Sequence, residues 1–320
     1  MKTGRYRTEK MAVRSRRGSY FAALSLIACA LAPSLQAQAQ AQGKQQGRGG
    51  PDPNLWPGKK HLLVVADVET GYHHDAINHA MAVIERLGRE SGEYMTMLRT
   101  DSQLLTKDQI PGQGPRYSGR PYVNAKTLDF FDAIFLMPSG TGKLTEKQKT
   151  DVMSFIRDDG KGILVGHAAT VGYYQWPEYL EMIGGVMNGE FGDNSTVIVE
   201  DPNFPGVSAF GLAPFTFFEQ HPVLKEPYSR EKVHVILRLD PNKLSPENRA
   251  RRPDGDFPVA WARQYGKGRM YNIGWGEFEE TWDDPRFQKM ILGAIKWAIG
   301  TAPADVTPRP FPGPVPKQAK

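Results

Sequence analysis

The chain of 320 residues contains one cysteine, Cys29. It lies within an N-terminal apolar run laid out like an export signal. Ordinary cleavage of that signal leaves no cysteine, which excludes a disulfide, a thiolate metal ligand and a thiol nucleophile. Residues 20–31 are apolar but too few to cross a bilayer. No strong charge remains either. The whole chain has 40 Lys+Arg and 35 Asp+Glu, but residues 1–41 carry seven of the basic residues and Glu9, leaving 33 against 34. The basic character belongs to the targeting segment, and near-neutrality argues against a nucleic-acid partner. Also missing are an internal repeat, a phosphate-binding or dinucleotide glycine loop, and a His-Glu-x-x-His helix.

The N-terminus holds a basic cluster (Arg14, Arg16, Arg17), the apolar run, and small-x-small sites at Ala37-Gln38-Ala39 and Ala39-Gln40-Ala41. Residues 1–41 are therefore expected to be a signal peptide and the protein to be exported, periplasmic or secreted. The paired arginines hint at the twin-arginine route. Leu26-Ile27-Ala28-Cys29 offers lipidation at Cys29 as an alternative, although the apolar run continues past it. Residues 42–58 read as a Gln/Gly/Pro linker and 301–320 as a Pro-rich tail. Residues 59–300 are enough for one domain with a substantial core.

Within that domain, apolar runs at 61–66, 94–98, 133–137 and 162–165 read as strands. Residues 75–87 place Ile77, Met81, Ile84 and Leu87 on one helical stripe. Thr145-Glu146-Lys147-Gln148 is a capping box opening a second helix, with Val152, Phe155 and Ile156 inward. Alternating strands and helices imply a mainly parallel sheet covered on both faces. The later strands, 196–200, 233–239, 257–263 and 269–274, look antiparallel or edge-like. The last two flank a Tyr-Gly-Lys-Gly turn. A final helix over 285–299 packs Phe287, Ile291, Ile295 and Ala298.

In open α/β sheets, ligands bind beyond the carboxyl ends of the parallel strands. Asp67, Glu69, Tyr72, His73, His74 and Asp75 follow the first strand. Ser139, Thr141 and Lys143 follow the third, and His167 follows the fourth. If 269–274 runs parallel to these, Glu277 joins them. His167 ends an apolar run among small residues, which suits proton transfer or metal binding; the competing reading is a buried histidine bonded to a carbonyl. His74 opens a helix whose dipole favours a neutral ring, a good ligand or base. It is read as a substrate-binding or metal-ligating residue, against a polar cap. His73 and His79 read as surface groups. Glu190 and Glu219 are carboxylates in Gly-rich or apolar settings, suited to acid–base work or to a salt bridge. Tyr173, Tyr174 and Trp176 are a candidate sugar-stacking wall, against ordinary core packing, and Trp275, beside Glu277, is a further candidate substrate-binding ring. Arg116 and Arg120 lie in a long loop that reads as solvated.

The stretches HHDAI, LDFFDAIFLMPSG, GKGILVGHAA, WPEYLEMIGG, EPYSREKVHVILRLD and FPVAWARQYGKGRMYNIGWGEFEETW together resemble the trehalose-utilisation (ThuA-like) family. The resemblance implies a flavodoxin-like three-layer sandwich of the class I glutamine amidotransferase-like kind, and a role in carbohydrate catabolism on disaccharides or keto-sugars. In amidotransferases a nucleophilic cysteine occupies the position of Leu164 here, and leucine cannot attack a carbonyl. The resemblance also implies that His74 and His167 match family histidines, that some members hold a metal through them, and that Glu190 and Glu277 stand where the family pattern has histidine. The expected catalytic set is His167, Glu277, Glu190 and Glu219. A divalent metal such as zinc on His74 and His167 is the implied cofactor. The rival reading is a non-catalytic sugar- or partner-binding protein on the same fold.

Overall fold

The computed structural model describes residues 58–68, 71–112, 122–124 and 126–313. The expectations for the signal peptide, Cys29, most of the linker, Glu69, Arg116, Arg120 and the last seven residues lie outside these. The central element is one nine-stranded sheet in the order β2-β1-β3-β4-β9-β8-β7-β5-β6. Strands β1 (Lys60–Val65), β2 (Tyr94–Arg99), β3 (Ala133–Leu136), β4 (Gly162–Gly166) and β9 (Gly268–Ile273) pair in parallel. Strands β5 (Val186–Val199), β6 (Phe215–Lys225), β7 (His234–Leu239) and β8 (Pro258–Tyr265) extend it with antiparallel pairings only.

The sheet is therefore not mainly parallel: four pairings are parallel and four antiparallel. Two features cause the correction. β5 is 14 residues long, where only its C-terminal part was expected. β6 was missed because Phe217, Glu219 and His221 point inward, while Phe218 points to solvent. A buried carboxylate and histidine hide the alternation that normally marks a strand. β9 is no edge strand; it is hydrogen-bonded between β4 and β8. Its hairpin to β8 turns through Gly266, at φ +58°.

Pleat alternation divides the core. Leu62 and Val64 of β1 face one apolar cluster, with α1 (Ala76–Ser91) and α6 (Pro285–Ala298). Leu63 and Val65 face a second, with α2 (Glu146–Arg157) and α3 (Pro177–Ile183). The stripe of Ile77, Met81, Ile84 and Leu87 is buried as its spacing predicts. The capping box is formed in full: Gln148 N–H donates to Thr145 Oγ1 and Thr145 N–H donates to Gln148 Oε1. Two short helices, α4 (Pro246–Ala250) and α5 (Glu279–Asp283), complete the set among the described residues.

Residues 301–313 form no helix or strand, yet they are held. Thr307 O contacts His234 Nδ1 at 2.8 Å, and Phe311 lies under the Arg230 and Arg238 guanidiniums. Among the described residues no helix is long and apolar enough to cross a membrane.

Candidate active site

Three distant parts of the chain meet at the carboxyl edge of the parallel strands. His74 ends the loop after β1, immediately before the Asp75 that precedes α1. His167 is the first residue after β4. Glu277 follows β9 by four residues. His74 Nδ1 lies 2.7 Å and His167 Nε2 lies 2.5 Å from the same atom, Glu277 Oε2. The two rings meet edge to face at 4.7 Å. The three side chains are 12–17 % exposed, sheltered but reachable. A small cleft beside them is lined by Ala76, Ile77, Met137, Gly166 and Ala168. Tyr72, largely exposed, stands edge-on to His74 at 4.9 Å.

The local backbone explains this placement. β4 is a fully buried strand that delivers His167 to the sheet edge. There His167 takes φ +36°, left-handed and unusual for a residue with a Cβ. Such a conformation costs on the order of 1–3 kcal/mol and persists only where the surroundings impose it. The neighbouring Gly166 leaves room on the Phe135 side, where a Cβ would come within 3.3 Å of that ring. Glu277 is aimed by the turn at Gly276, at φ +119°, which glycine alone adopts easily. Gly276 N–H donates to Glu219 Oε2 at 2.9 Å, and Trp282 Nε1–H donates to Gly276 O at 3.1 Å.

Glu219 has a different place from the one expected. It is fully buried and accepts three hydrogen bonds: Thr281 Oγ1–H at 2.6 Å and Gly276 N–H on one oxygen, Gln220 N–H at 2.9 Å on the other. Two of the three donors, Gly276 and Thr281, belong to the segment that carries Glu277. Thr281, which no sequence pattern singled out, is part of that frame. Glu190 is exposed on β5. With the Gln220 amide oriented to satisfy its hydrogen bonds, Gln220 Nε2 donates to both Glu190 oxygens at 3.0 and 3.1 Å.

The aromatic candidates separate in the same way. Trp176 is buried, stacked on Tyr179 and edge-on to Tyr173, and Trp275 is buried, stacked on Phe217. Neither indole has a free face for a sugar; both are core residues, because the segments carrying them turn inward. Trp275 Nε1–H donates to His221 Nδ1 at 3.1 Å. Tyr174 is exposed. His73 is exposed, while His79 is half-buried and contacts Asp283 at 2.8 Å. Asp67 is buried and accepts from Ser102, and Ser139 accepts from Tyr72 N–H.

Charge distinguishes the two histidines. Burial, and then repulsion from His167, lower the His74 pKa despite Glu277. Burial also opposes charge on His167, but the Glu277 contact, with Glu219 and Glu190 further off, outweighs it and the net shift is upward. For Glu277 burial acts upward, and His167 and His74 more than reverse it. These contacts are matters of proximity rather than direction. His74 Nδ1 and Glu277 Oε2 are buried and make no hydrogen bond of acceptable angle, and His74 Nε2 and His167 Nδ1 also lack partners. Two imidazoles and a carboxylate, with ligating atoms all within 4.8 Å of one another, form a donor set suited to a divalent cation such as zinc.

A mixed α/β sheet with a His-His-Glu cluster at the ends of its parallel strands defines the class of protein. The trehalose-utilisation family profile matches residues 61–298, and the chain belongs to that ThuA family. Among solved structures it is similar to a ThuA-like protein from Bacteroides uniformis, at 18 % identity and a TM-score of 0.55, covering 78 % of this chain and 95 % of that one. A ThuA-like protein from Parabacteroides merdae is similar at 15 % identity and a TM-score of 0.54, covering 78 % and 92 %. These likenesses concern the fold. No curated protein matches the chain significantly in sequence.

Proposed function

We propose that this chain is an exported carbohydrate-active protein whose reaction takes place at His74, His167 and Glu277. The observation that carries this reading is the convergence of two ring nitrogens on one carboxylate oxygen. The family description, trehalose utilisation, supports a disaccharide or a keto-sugar derived from one. The flavodoxin-like three-layer arrangement is supported by helices packed on both faces of β1. Amidotransferase chemistry is opposed by Leu164, a fully buried core residue where a nucleophile would have to stand.

In this reading His74, His167 and Glu277 would hold a divalent cation, which would supply Lewis-acid chemistry at the site. Burial keeps His74 neutral and able to ligate. Glu219, through Gly276 and Thr281, keeps Glu277 turned toward the rings. Glu190, exposed and held by hydrogen bonds from Gln220, is the solvent-accessible carboxylate that exchanges a proton with a sugar hydroxyl or glycosidic oxygen. The apolar cleft wall of Ala76, Ile77 and Met137 limits water beside the cluster. The second reading is a sugar- or partner-binding protein on the same fold that binds without turnover.

Metal analysis and a turnover screen test both. About one equivalent of zinc is expected in the purified protein after supplementation, and its loss in His167→Ala and Glu277→Ala. Equal metal content in wild type and both variants would remove the cation. Zinc-loaded protein that binds sugars but turns over no disaccharide or keto-sugar would establish the second reading.

A further inference from the structure

A second cleft, of about 510 Å³, opens beside β6, an edge strand of the sheet. Its aromatic side is Phe218 packed against Phe278, with ring centroids 5.3 Å apart and planes 31° from parallel. Phe218 is 57 % exposed and, with Phe278 against it, leaves an aromatic patch open at the cleft. The rim is polar and fixed. Thr216 and Glu280 line it, and Arg286 is clamped to Asp284 by contacts of 2.6 and 3.1 Å. The same guanidinium lies over Phe210, Phe215 and Phe217, which immobilises it further.

One hydrogen-bonded frame links this cleft to the His-His-Glu site. Thr281 lines the cleft and donates to Glu219, the carboxylate that also binds the Gly276 N–H beside Glu277. Phe278 is the next residue after Glu277, and Phe218 immediately precedes Glu219. Arg286 and Asp284 neutralise each other, and the exposed Glu280 carboxylate remains on the lining, which disfavours an anionic ligand. An aromatic face flanked by Thr216, the paired Arg286 and Asp284, and the Glu280 carboxylate suits an uncharged molecule with an apolar C–H face and a hydroxyl edge.

We infer that this cleft is a second carbohydrate subsite, in which one pyranose ring of a di- or oligosaccharide packs against the open face of Phe218, which Phe278 backs. The inference rests on the carbohydrate reading above. It assigns to these two phenylalanines a share of affinity that depends on the substrate having a second ring.

Calorimetry on the zinc-loaded full chain with trehalose, maltose, cellobiose and glucose tests it. At least one disaccharide is expected to bind more tightly than glucose. Phe218→Leu and Phe278→Leu keep apolar bulk but lose the flat face, and each should weaken that disaccharide about ten-fold. Glucose affinity and zinc content should stay unchanged, and Phe218→Trp should bind as wild type does. If wild type binds none of the four sugars, the carbohydrate reading falls and the subsite with it. If wild type binds a disaccharide and both Leu variants match it, only the subsite falls. A parallel loss of glucose affinity would also overturn it, because the rings would then act at the His-His-Glu site. So would Leu variants that differ from wild type only in sedimentation, since the rings would then form a protein interface.

Discussion

Replacing Glu219 separates a positioning carboxylate from a reacting one. In Glu219→Ala three donors lose their acceptor, and two of them, Gly276 N–H and Thr281 Oγ1–H, are buried. An orphaned buried donor costs roughly 1–3 kcal/mol, and the vacated volume adds to this. Removing a charge that burial disfavours offsets part of the loss. The net expectation is a destabilisation of about 3–5 kcal/mol, a large fraction of a typical domain's stability. Glu219→Gln can present its amide oxygen to Gly276 and Thr281, leaving one mismatch at Gln220 N–H, for about 1 kcal/mol. Urea unfolding of wild type and both variants measures these values. Turnover of a sugar substrate gives the second readout. Glu219→Gln should lower kcat/KM less than about ten-fold, whereas Glu277→Gln should lower it by about a hundred-fold or more. Two results would refute the reasoning: Glu219→Ala within about 1 kcal/mol of wild type, or Glu219→Gln as inactive as Glu277→Gln.

Two further outcomes are expected. Gly276→Ala forces a Cβ at φ +119° to within 3.1 Å of the Trp282 ring, so it should cost about 1–3 kcal/mol and release zinc more readily than its melting temperature alone would suggest; unchanged zinc affinity would contradict the role of the turn. Burial lowers the His221 pKa from 6.5 to about 4, and Nδ1 accepts from Trp275, so the neutral ring is the folded form. The unfolded chain then binds the extra proton between these values, so this stabilisation is complete above pH 6.5 and is lost as pH falls toward 4. The loss is about 3 kcal/mol. Unfolding midpoints at pH 7 and 4.5 should converge between wild type and His221→Gln, and an equal pH response in both would disprove it.

Elements built from local pattern were legible without coordinates. The stripe of α1 and the capping box of α2 stand as the sequence predicts, because each depends on residues three or four apart. β6 was not legible. Its inward residues include Glu219 and His221, whose burial makes sense only beside Gly276, Thr281 and Trp275. Trp176 and Trp275 had the composition of a sugar platform, and nothing local shows that both are packed shut.

The sequence by itself determined the family, the parallel β1–β4 core and the histidine and carboxylate types available for chemistry, since periodicity and motif spacing are properties of short segments. Only the tertiary structure decided which carboxylate meets the histidines. β9 pairs parallel to β4, and that register carries Glu277 to the same edge as His167 and His74. It also turned Glu219 into a buried brace and left Phe218 open, because a strand sends alternate side chains to opposite faces and only its neighbours determine which face is covered.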